Sequence, residues 1–205
     1  MTKERPLTAG ELEKVKIVLG DALPYELSML EAAVRYMQED SFRELKVDNN
    51  YVDAFIRNAP IETFWTHARC LIEFFNREND NYEASSAGAR GFTTNDYHPS
   101  KDIKKLYGDN SLKTRINEQI SHVGFCRKAE EWNKLGRTQE TQMHYVKDII
   151  NKETEEFVTN LKPNFRPYWK GSVPQARFLN VKDQAVCSTN AIITMTLAID
   201  WPPRR

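Results

Sequence analysis

Pro60 to Glu78 reads PIETFWTHARCLIEFFNRE. Ile61, Phe64, Trp65, Ala68, Ile72 and Phe75 recur at helical intervals, and Leu71 and Phe74 widen the apolar face. A strand would alternate every second residue; this spacing is that of an α-helix. A helix apolar over so much of its circumference must be covered from several sides, which puts it at the centre of a bundle. The rest of the chain is therefore read for the helices that cover it.

On the N-terminal side, Leu7–Leu19 opens with Thr8 three residues before Glu11, the spacing of a capping box. Leu12, Val15, Val18 and Leu19 follow as an apolar stripe, and Gly20 and Asp21 are expected to interrupt the helix. Pro24 then suits the first turn of a second helix, PYELSMLEAAVRYMQED, whose stripe is Leu27, Leu30, Ala33, Val34 and Met37. Residues 40–50 are polar and read as a connection. A short helical segment over Tyr51–Arg57 is expected to end at Asn58-Ala59-Pro60, before the central helix begins.

On the C-terminal side, Asn79–Asn110 is long, polar and rich in turn residues, and loops of that length are usually functional or disordered. Its end is basic: Lys101, Lys104, Lys105 and Lys113 are opposed only by Asp102 and Asp109. That run is either a solvated charged surface or a phosphate-attracting approach. After a polar stretch ended by Gly136, Gln139–Leu161 reads as a long closing helix with Met143, Val146, Ile149, Ile150, Phe157 and Leu161 on one face, stopped by Pro163.

The last segment has another texture. AIITMTLAI suits a strand or a short buried helix, and ARFLNV could pair with it. FRPYWK mixes cations with aromatics, a composition that stacks bases or packs as a tail on its own domain. The fold expected is mainly α: a helical bundle over residues 1–162, with a basic, proline-containing extension over 163–205 that is irregular or short-β.

Composition narrows the function classes. The 205 residues carry 29 basic and 29 acidic side chains, so no global field draws in nucleic acid or membrane. The balance is uneven, however: residues 162–205 are +5 and residues 1–161 are −5. Eight glycines and nine prolines are few for a many-stranded sandwich or barrel. Cys70, Cys126 and Cys187 are odd in number and lack a CxxC spacing, which suggests reduced thiols in a cytosolic protein and neither a zinc site nor a disulfide framework. The charged N-terminus is not a signal peptide, and no run reaches transmembrane length. HExxH, Walker A, GxGxxG and GxSxG motifs do not occur, so no cofactor or metal is expected.

One stretch pairs a cation with an imidazole. Ser111–Lys128 reads SLKTRINEQISHVGFCRK. As a helix it has Leu112, Ile116, Ile120 and Val123 on one stripe and Arg115, Gln119, His122 and Cys126 on its flank. Arg115 and His122 then lie within about 20° in azimuth and roughly 10 Å apart along the axis. Histidine exchanges protons near neutral pH, and arginine's fork grips two phosphate oxygens without losing its charge. Together they are a minimal kit for metal-free RNA cleavage. One helix cannot easily bring both groups to one phosphorus, so the chemistry calls for two copies facing across a two-fold axis. The alternative is a surface charge ladder, with Glu118 between Arg115 and His122 at helical spacing. His67, four residues after Thr63 on the central helix, reads either as a buried histidine donating to a neighbour or as a supporting catalytic group.

RINEQISH at Arg115–His122 resembles the Arg–x(4–6)–His motif of HEPN domains, and the helix order over residues 7–161 is similar to theirs. Where those domains carry a polar residue directly after the arginine, this chain has Ile116, and Asn117 is the nearest polar position. The resemblance implies a helical, generally dimeric domain of a kind that often acts as a metal-independent ribonuclease in toxin–antitoxin or antiphage systems. It implies phosphate contact by Arg115 and proton transfer by His122, with Asn117, Glu118 and His67 in support and RNA approaching along Lys101, Lys104, Lys105 and Lys113. The partners implied are a second copy, RNA and a protein partner or antitoxin. The rival expectation is a non-catalytic dimerisation or partner-binding module.

Overall fold

The computed structural model describes residues 6–39, 50–80, 82–108 and 139–171. Among these residues the secondary structure is helical: α1 (Ala9–Ile17), a π-turn (Val18–Ala22), α2 (Leu23–Gln38), α3 (Asn50–Asn76), α4 (Ala89–Phe92), α5 (Lys101–Tyr107), α6 (Gln139–Thr159) and a 3-10 turn (Arg166–Tyr168). Thr93 and Leu161 form an isolated antiparallel bridge. No described helix is long and apolar enough to cross a membrane.

The capping box forms as expected. Thr8 Oγ1 accepts from the Glu11 N–H at 3.2 Å, and Glu11 Oε2 accepts from the Thr8 N–H at 2.9 Å. The interruption at Gly20–Asp21 is not a break. The chain keeps helical torsions through it and widens to one π-turn, with the Leu23 N–H donating to Val18 O. Pro24 accounts for this, because it brings no N–H and its ring crowds the carbonyl four residues back, at Gly20.

α3 gives a second correction. The break expected at Asn58-Ala59-Pro60 is absent, and one 27-residue helix runs through Pro60. An interior proline costs about 3 kcal/mol. Phe64, Trp65, Ala68, Leu71, Ile72, Phe74 and Phe75 are all buried on the same helix. Burying one large apolar side chain is worth about 1.5–3 kcal/mol, so several of them outweigh one proline.

α2 packs along α3, and α6 lies against both. Leu27, Leu30, Ala33 and Val34 of α2 and Met143, Val146, Ile149, Ile150 and Phe157 of α6 are buried in a common core with the α3 stripe. Phe157 meets Phe74 and Phe75 edge-on, at 5.4 and 5.9 Å between ring centroids. Polar ties hold the same helices together. Lys147 Nζ donates to Glu31 Oε2 at 2.7 Å, and Arg35 Nε to Glu31 Oε1 at 2.9 Å.

The described part of the polar connection after α3 is not an open loop. Ala87, Ala89, Phe92, Tyr97, Ile103 and Leu106 are buried in the core, and α4 and α5 both pack on α3. Gly88 permits this course: a Cβ there would stand 2.5 Å from Arg77 O. α6 ends at Thr159, four residues short of Pro163, because Leu161 turns aside to bridge Thr93 and the Lys162 N–H donates to Phe92 O at 3.0 Å.

Residues 163–171 stay with the bundle. Phe165 is buried, Trp169 meets Phe157 edge-on at 6.1 Å, and Lys170 Nζ lies 3.2 Å from Asp21 Oδ1. Of the two expectations for FRPYWK, packing on its own domain is the one observed. The strand-or-helix reading of AIITMTLAI lies outside the described residues.

Candidate functional site

Arg115, His122, Asn117, Glu118 and Lys113 lie outside the described residues. The geometry available is that of the groups expected to support them.

α5 carries three of the four lysines. Ser100 Oγ caps it, accepting from the Ile103 N–H at 3.2 Å. Ile103 and Leu106 face the core, so Lys101, Lys104 and Lys105 are left on the exposed side. Lys105 Nζ stands 3.6 Å from Asp102 Oδ1, a solvent-screened pair of little energetic consequence.

His67 lies at the seam of α2 and α3. Its Nδ1 is 2.7 Å from Glu26 Oε2, and the ring stands edge-on to Tyr25 at 5.5 Å. A carboxylate only accepts, so Nδ1–H is the donor, and the neutral ring keeps an acceptor lone pair on Nε2. No described residue meets Nε2. Nearly one turn further along α3, Cys70 sits on the exposed side. Desolvation of its thiol, then the nearby carboxylates of Glu26 and Glu73, push it up to about 11.

The other described histidines are placed differently. Gln38 Nε2–H donates to His144 Nε2 at 3.0 Å, and His98 is exposed.

Glu153 is a functional-looking residue that the sequence reading passed over. It is 1% exposed, accepts from Tyr97 OH at 2.6 Å and from the Ser100 N–H at 3.1 Å, and joins α6 to the segment that precedes α5. Burial first, and the Glu153 carboxylate second, hold the Tyr97 phenol well above its usual range. The signal was available: Glu153 is three residues after Ile150 and four before Phe157, on the buried stripe of α6.

A surface hollow of about 350 Å³ is lined by Val158, Thr159, Leu161, Arg166 and Trp169. Arg166 is already engaged there, donating from Nε to Leu161 O at 3.3 Å and from a terminal nitrogen to Thr159 O at 3.2 Å. It caps the C-terminal end of α6. Among the described residues no group of three or more His, Cys, Asp or Glu is placed to hold a metal ion.

No family model, no curated protein and no solved structure matches this chain.

Proposed function

We propose that the chain is a metal-independent endoribonuclease of the HEPN type, acting as a homodimer. The observation that carries the reading is the Arg115-x6-His122 spacing. It is supported by a helical scaffold around one central apolar helix and by exposed lysines on α5, shortly before that motif. In the reaction the 2′-oxygen attacks phosphorus, the 2′-O to P bond forms and the P to 5′-O bond breaks. Arg115 of one protomer neutralises the phosphorane oxygens, and His122 of the other moves a proton. The products are a 2′,3′-cyclic phosphate and a 5′-hydroxyl. The same resemblance makes a toxin or antiphage effector of the cytoplasm the setting, with an antitoxin as a candidate partner.

The test is cleavage of labelled RNA in EDTA by the wild type and by His122→Ala. The expected result is cleavage by the wild type and a loss of about 100-fold or more in the variant. Equal cleavage by both, or none by either, overturns the reading.

A second reading, a non-catalytic dimerisation or partner-binding module, is favoured by one feature. Phe55 is 73% exposed on α3, with Val52 43% exposed three residues before it. That reading predicts self-association that Phe55→Ser abolishes, with no RNA cleavage by any variant.

A further inference from the structure

We draw no further inference here: the strongest candidate, the exposed apolar patch that Val52 and Phe55 form near the start of α3, carries nothing, because nothing in the structure shows what covers it.

Discussion

Tyr97 donates its phenolic hydrogen to Glu153 Oε1 at 2.6 Å, and that carboxylate is 1% exposed. The bond ties α6 to the connection that leads into α5, and it sets the first prediction. Tyr97→Phe leaves a buried carboxylate with the Ser100 N–H as its remaining donor among the described residues. Stranding part of a buried charged group costs about 1–3 kcal/mol, which urea unfolding at neutral pH should read. The phenol is raised in the folded state, chiefly by burial. A raised group contributes its stability below its unfolded value, about 10 for tyrosine, and loses it as pH climbs toward the folded value. The wild type should therefore weaken as pH rises above about 10, and Tyr97→Phe should weaken less steeply. Parallel curves would mean that Tyr97 ionises freely in the folded chain.

Glu31 gives the opposite sign. Burial pushes its carboxyl up, but hydrogen bonds and charge from Lys147 and Arg35 together outweigh that and leave it lowered. A lowered carboxyl contributes stability above its unfolded value and loses it as pH falls through the folded one. Lys147→Met should then flatten the loss of stability on the acid side of about pH 4.3. The Glu31 side chain is 38% exposed, so solvent screening keeps the cost at pH 7 under about 1 kcal/mol. Denaturant midpoints at pH 7 and on the acid side measure both effects.

These ties also show what could be read in one dimension. The stripes of α2, α3 and α6 and the Thr8–Glu11 capping box follow from spacing alone, since each is set by residues within a turn or two. The continuity of α3 through Pro60 does not, because it turns on core contacts made by residues far apart in the chain. The packing of Phe92, Tyr97 and Ile103 was hidden by the polar residues around them. Glu26 as the partner of His67 was equally illegible: 41 positions separate them, and only the crossing of α2 on α3 makes them neighbours. Arg115 and His122 were visible as a spacing, and both lie outside the described residues.

Pro60 sits in the interior of α3, where it removes one helical hydrogen bond to Ile56. Pro60→Ala restores the donor. The gain of up to about 3 kcal/mol is offset by the loss of a buried ring and by a freer unfolded chain. A net stabilisation of about 0.5–2 kcal/mol is expected, seen as a higher melting temperature. A lower one would mean that the ring's packing outweighs the missing bond.

The lysines of α5 allow a test of RNA contact that does not depend on cleavage. Lys101, Lys104 and Lys105 are exposed, while Ile103 and Leu106 hold the helix to the core, so Lys→Gln at all three should leave the fold intact. If each meets one phosphate of a single strand, each contributes about 0.7 to the slope of log affinity against log salt, and the triple variant should lose about 2 from that slope. His122→Ala serves as the binding-competent background, because it removes turnover without removing these cations. Titrating labelled RNA across a salt series gives the slope directly. A slope that does not change between His122→Ala and the quadruple variant would make the three lysines a solvated surface and move the RNA path elsewhere.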